Sequence, residues 1–164
     1  MVRITADWLR ARPTQSILSM LVDGGWQAFA VGGCVRDSLL DRPVKDIDIA
    51  TDARPDEVVR LAEAHGFHAV PTGIDHGTVT VVADHMPHEI TTFRRDVETD
   101  GRRAVVAFSD RMIDDARRRD FTMNALYADR SGKVSDPIGG LPDLEARRIR
   151  FIEDAPMRIR EDYL

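Results

Sequence analysis

Two aspartates spaced two apart, in Asp46-Ile47-Asp48-Ile49, are the residues with the most chemical content in this chain of 164. On an extended strand alternate side chains share a face, so both carboxylates would point one way and both isoleucines the other. Two like charges facing one space raise the pKa of one of them unless a cation lies between, and the chemistry that wants this arrangement is two-metal phosphoryl transfer. A solvated alternating strand produces the same pattern, so the neighbouring residues must decide. Upstream, Val31-Gly32-Gly33-Cys34-Val35-Arg36-Asp37 reads as a paired-glycine turn from strand to helix, where backbone N–H groups and a helix start face an anion. Arg36, one turn into that helix, would reach the anion bidentately, with Asp37 holding the arginine or the turn. Alone this is a plain turn with a surface ion pair. Beside the acidic pair on the next strand, it describes a nucleoside triphosphate held next to two metal ions.

Two further runs extend the pattern. Glu89, in His88-Glu89-Ile90-Thr91-Thr92-Phe93, would bring a third acid to the same sheet face, as a metal ligand or as proton acceptor for an attacking hydroxyl. A lone edge-strand glutamate is otherwise inert. In Arg117-Arg118-Arg119-Asp120-Phe121-Thr122-Met123-Asn124-Ala125-Leu126 the spacing predicts a helix over 118–126. Phe121, Ala125 and Leu126 would pack inward while Arg119, Asp120 and Asn124 occupy the approach to the site. Three consecutive arginines also suit a solvated face.

The elements that would position these residues follow from periodicity and punctuation. A helix ends over 17–22 at Gly24-Gly25, a strand runs over 26–31, and a short helix follows over 34–40. The acidic strand spans 46–51, and Pro55-Asp56-Glu57 opens a helix that lasts to His65. Strands over 78–83 and 89–93 form a hairpin pair, 94–110 reads as a mobile loop, and a short strand over 133–135 precedes a tight connection at Asp136-Pro137 and Gly139-Gly140. Strands and helices interleave irregularly, which predicts an α+β sheet domain.

Composition narrows the choices. At 43% hydrophobic, the chain can bury an ordinary core. Cys34 stands alone, which excludes an intrachain disulfide and a multi-cysteine zinc site, and His65, His68, His76, His85 and His88 fit no compact zinc spacing. A metal would therefore be a hard ion on oxygen ligands, such as magnesium. The net charge of −5 argues against holding nucleic acid by bulk electrostatics. The basic residues are nearly all arginine, with only Lys45 and Lys133 as lysines, and arginine supplies bidentate phosphate recognition. No apolar run approaches the ~20 residues that span a bilayer, and the start of the chain lacks the pattern of a secretion signal, so the cytoplasm is the expected location. Nothing caps a helix expected to begin near Pro156, which suggests a fragment of a longer polypeptide.

Taken in order, Gly32 to Asp37, Asp46 to Thr51, Gly73-Ile74-Asp75-His76-Gly77-Thr78, Glu89 to Arg94, Arg118 to Ala125 and Glu161-Asp162 resemble the motifs of the bacterial-type tRNA CCA-adding enzyme and poly(A) polymerase family. The resemblance implies a polymerase-β-like nucleotidyltransferase head over 1–150, a curved mixed β-sheet backed by helices, with a helical neck starting over 151–164. It implies that Asp46 and Asp48 ligate two Mg2+ ions and that Glu89 is catalytic. Gly32, Gly33 and Arg36 would contact the triphosphate, and Arg119 would bind the nucleotide with support from Asp120 and Asn124. Asp162 would read the base edge of CTP or ATP together with an arginine falling after Leu164. The implied activity is template-independent addition of CMP and AMP to the 3′ end of tRNA, with base selectivity and turnover reduced in the fragment.

A poly(A) polymerase of the same family and a catalytically inactive RNA-binding module are the alternatives. Against the second, an inactive copy has no physical reason to keep two mutually repelling acids facing each other. Asp41 departs from the family's usual glycine and Cys34 from its alanine; a helix start at Cys34 would lower its thiol pKa.

Overall fold

The computed structural model describes residues 1–97, 105–153 and 156. Asp162, the expected neck helix beyond Pro156 and the tip of the expected mobile loop lie outside the described residues.

Helices α1 (Asp7–Arg10) and α2 (Arg12–Asp23) lead into β1 (Ala28–Val31), and the glycine turn feeds α3 (Gly33–Leu39). Strand β2 (Asp48–Thr51) and helix α4 (Pro55–Ala64) follow. Proline and acids do open α4, as expected where the first-turn N–H groups lack partners. Then come β3 (His68–Gly73), β4 (Thr78–Ala83), β5 (Met86–Thr92), β6 (Arg94–Val97) and β7 (Val105–Phe108). Helix α5 (Met112–Arg117), β8 (Tyr127–Ala128), β9 (Val134–Ser135) and α6 (Gly140–Glu145) complete the described chain.

Seven strands form one mixed sheet in the order β3-β4-β5-β2-β1-β8-β9. Only the central β2–β5 pair is parallel, with Asp48 opposite Glu89; the other pairs are antiparallel. The α+β expectation therefore holds, as does the hairpin of β4 and β5.

Period-two alternation decides which face carries chemistry. Ala28, Ala30, Ile49, Val79, Val81 and Ile90 face one way and pack against Ile17, Leu18 and Leu21 of α2 and Val58, Leu61 and Ala62 of α4. Each fully buried Ile or Leu there contributes about 2 kcal/mol. The opposite face is covered over its β1–β8 half by a second cluster of Val31, Ala50, Phe93, Ala116, Ala125 and Tyr127. Its other half, which carries Glu89, stays open.

Three expectations need correction. The helix over 118–126 does not form: α5 ends at Arg117, and Phe121 is extended (φ −116°, ψ 146°). The chain is drawn out there to pair with 150–152, through Thr122 N–H to Arg150 O (3.0 Å), Ile152 N–H to Asp120 O (2.9 Å) and ring contact of Phe121 with Phe151 at 4.8 Å. The stretch 94–110 is not simply a loop either, because β6 and β7 form a two-stranded ribbon. The Phe108 ring anchors it: a Cβ on Gly77 would lie 2.6 Å from that ring, and Arg54 sits 5.2 Å above it. Finally, the Cys34 thiol is pushed up to about 11 by burial, with its Sγ donating to Val31 O, so the helix start does not activate it. Asp41 adopts the left-handed backbone that a glycine would favour (φ 53°).

Gly140 supports the turn that carries Asn124. A Cβ there would come within 2.1 Å of Thr122 O and 2.7 Å of Thr122 C, backbone atoms that cannot swing aside. Gly140→Ala is therefore expected to destabilise the fold by about 3 kcal/mol, measured as a drop in urea midpoint; an unchanged midpoint would show that this contact is not tight.

Candidate active site

The glycine turn is where two guanidinium groups meet. Gly32 adopts φ 76°, ψ −131°, a conformation open to glycine, and a Cβ there would lie 3.5 Å from Arg119 Nη1. A Cβ on Gly33 would lie 3.6 Å from Arg36 Nη2. Both arginines therefore lie in van der Waals range of the start of α3, and it is the positive φ of Gly32 that calls for glycine there.

Each arginine is held by its own set of acceptors. Arg36 makes a fork with Asp37 (Nε to Oδ1 2.8 Å, Nη2 to Oδ2 3.1 Å) and donates from Nη1 to Asn124 Oδ1 at 2.7 Å. Asn124 in turn donates to Asp120 Oδ1 at 3.1 Å. The Asp37 hydrogen bonds raise the pKa of Arg36 above its ordinary value. Asp120 and Asn124 therefore brace Arg36, where the sequence led us to expect them behind Arg119.

Arg119 has a different brace, one that sequence reasoning missed. Its Nε and Nη2 donate to Asp115 Oδ2 (3.2 and 3.0 Å), its Nε also approaches Tyr127 Oη at 3.3 Å, and the Tyr127 hydroxyl donates to the same Asp115 oxygen at 2.8 Å. The guanidinium lies 5.7 Å from the centre of the Tyr127 ring. Asp115 and Tyr127 are buried, at 1% and 0% exposure, so the pair holds one fixed geometry. Burial disfavours the charged arginine, but Asp115 and Tyr127 outweigh it and the Arg119 pKa is raised. The i,i+4 spacing of Asp115 and Arg119 was a signal available in the sequence. The reach of Tyr127 from β8 was not.

Asp48 opens β2, half-buried, and Asp46 lies just before the strand, exposed. Together with Glu89 they line one cleft of about 550 Å³. Burial raises the Asp48 pKa first, Glu89 adds to it by repulsion, Arg119 pulls against both, and Asp46 adds a further push upward. The carboxylates thus interact, and the nearest relief is the arginine at the glycine turn.

Among the described residues no three His, Cys, Asp or Glu side chains form a ready cage for a metal. Two carboxylates are what magnesium usually takes from protein, the rest of its shell being phosphate and water, so Asp46 and Asp48 suit it as a donor pair. His88 is buried, with its ring bonded to Thr14 Oγ1 (2.9 Å) and Met86 O (3.0 Å), and plays no part in the cleft. In the Gly73–Thr78 motif, His76 O accepts from Arg94 Nη1 at 2.9 Å.

The mixed sheet that carries this acidic pair beside an arginine-lined glycine turn has the fold of a polymerase-β-like nucleotidyltransferase head. The solved CCA-adding enzyme of Bacillus stearothermophilus in complex with CTP superposes with a TM-score of 0.81 at 40% identity, covering 93% of this chain and 36% of that one. Curated CCA-adding enzymes of Oceanobacillus iheyensis and Lactobacillus delbrueckii subsp. bulgaricus are each 44% identical, over 98% and 99% of this chain. The chain spans 39% and 40% of their lengths. The model of the poly A polymerase head domain matches residues 28–150, and the chain belongs to that family.

The raised Asp48 pKa has a consequence for stability. Between the ordinary carboxylate value and the raised native one, the folded state holds more protons than the unfolded chain, so stability falls as pH rises through that window. In metal-free buffer Asp48→Asn is expected to be more stable than the parent at pH 7, and the advantage should vanish below the ordinary value of 3.8. Urea denaturation across pH reads this directly. A less stable Asn variant at neutral pH would show that the repulsion is already compensated.

Proposed function

We propose that this chain is the catalytic head of an RNA nucleotidyltransferase that adds CMP and AMP from CTP and ATP to the 3′ end of tRNA. The observation that carries the reading is the convergence of Arg36 and Arg119 on the Gly32–Gly33 turn, next to the strand that begins with Asp48. Its similarity to CCA-adding enzymes, over nearly the whole chain, supports tRNA as the acceptor. On this reading residues 1–150 are the head and 151–164 begin a neck, where Asp162 reads the base.

In the mechanism we favour, the triphosphate lies over Gly32 and Gly33. Arg36 and Arg119 grip its oxygens, each held at fixed geometry by Asp37 and Asn124 or by Asp115 and Tyr127. Preorganised donors of this kind stabilise charge developing in the transition state without rearranging. Asp46 and Asp48 would hold Mg2+, which when bound would neutralise phosphate charge and make the attacking hydroxyl more acidic. Glu89, exposed and directly across the ladder from Asp48, takes the proton from the 3′ hydroxyl.

The test is nucleotide incorporation by the intact protein with and without Mg2+. Asp48→Ala is expected to lower transfer of CMP and AMP by about 10³-fold or more, while Arg36→Ala raises KM for both nucleotides. Unchanged, metal-independent transfer by Asp48→Ala would remove the proposal.

A further inference from the structure

Asp143, on α6, is a carboxylate only 2% exposed, and it lies outside the acidic cleft. A buried charge is costly unless it is paired and hydrogen-bonded, and the two oxygens of Asp143 are divided between two parts of the chain. Its Oδ2 accepts from the Thr122 hydroxyl at 2.7 Å, while its Oδ1 meets Arg150 Nη2 at 2.9 Å, with Arg148 Nη1 farther off at 4.0 Å. The Arg148 backbone N–H also donates to Asp143 O at 2.8 Å. This one side chain therefore bridges the turn Thr122–Asn124 and the segment 148–152.

The turn is held from two sides. Gly140 packs against Thr122 O on one, and on the other 150–152 bonds to Thr122 N–H and Asp120 O. Within the turn, Asn124 N–H donates to Phe121 O at 2.9 Å and Ala125 N–H to Thr122 O at 3.1 Å, so the place of Asn124 follows from that of Thr122. Asn124 Oδ1 then accepts from Arg36 Nη1 at 2.7 Å. A chain of short, directional contacts thus runs from Arg150 through Asp143, Thr122 and Asn124 to Arg36. Asp143 and Thr122 are both buried, and close-packed interiors pass displacement on.

We infer that Asp143 is a positioning residue for the triphosphate: it fixes the Arg36 guanidinium through the Thr122–Asn124 turn and makes that geometry depend on where segment 148–152 lies. The inference rests on the nucleotidyl-transfer reading, in which Arg36 grips phosphate oxygens. Movement of 148–152 away from Asp143 loosens Arg36. Since the triphosphate is common to CTP and ATP, the grip on both weakens alike.

Thr122→Val and Arg150→Met in the intact protein each cut one arm of the bridge; the first keeps side-chain shape, and the second alters a side chain that is 56% exposed. Each is expected to raise Kd for CTP and for ATP about fivefold in the presence of Mg2+, read by isothermal titration calorimetry. Arg150→Lys should recover most of the loss. A bridge that serves the fold alone would lower the urea midpoint and leave both constants of the folded protein unchanged, which would overturn the inference. Asn124→Ala removes the last link, and on that background neither variant should weaken binding further; additive losses would overturn the inference too. Should the parent bind neither nucleotide, the transfer reading fails by itself. Solvent exchange of the Arg36 Nε proton, followed by NMR, then judges the link separately: faster exchange in Arg150→Met supports it, and an unchanged rate overturns it.

Discussion

Carboxylates crowded at the head of β2 set the terms for everything around them. Asp48 is half-buried, Glu89 sits across the parallel ladder, and Asp46 lies just ahead of the strand, so their charges raise the cost of ionising Asp48. Arg119 relieves part of that cost. A divalent cation carrying phosphate ligands would relieve the rest, as the proposed function requires. The energetic logic runs from function to fold: a strained acidic pair costs stability in the free protein and is useful when a charged substrate arrives.

The arginines could not serve that purpose as loose side chains. Each is a flexible group whose ordering costs entropy, and each is fixed beforehand by a separate brace. The Arg36 brace runs through Asp37, Asn124 and Asp120, while the Arg119 brace is buried and runs through Asp115 and Tyr127. Gly32 provides the other half of the geometry through its positive φ of 76°, which turns the chain from β1 into α3 beneath the guanidinium groups. Helices α2 and α4 cover the opposite face of the sheet, so the strand ends that carry the site rest on a dense core.

Much of this was legible in the sequence because it is local. The glycine turn, the proline-led start of α4 and the alternation of β4 and β5 are short-range patterns, and each appears close to where it was expected. What failed depended on distant partners. The run 118–126 has helical spacing, yet pairing with 150–152 draws Phe121 into extended backbone, and no local rule encodes that partner. The ribbon of β6 and β7 was hidden by its charge, since its anchor, Phe108 against Gly77, lies on another element. The spacing of Asp115 and Arg119 is local, but the Tyr127 hydroxyl that completes their brace is brought beside them only by pairing of β8 with β1.

Everything converges on where a divalent ion and a triphosphate sit relative to β2 and the glycine turn. The most direct measurement is a crystal structure of the protein with Mn2+ and a non-hydrolysable CTP analogue, located by anomalous scattering. The account predicts metal density between the carboxylates of Asp46 and Asp48, bridged to phosphate oxygens that Arg36 and Arg119 hold over Gly32 and Gly33. Metal bound away from that pair, or a triphosphate seated away from the glycine turn, would contradict it.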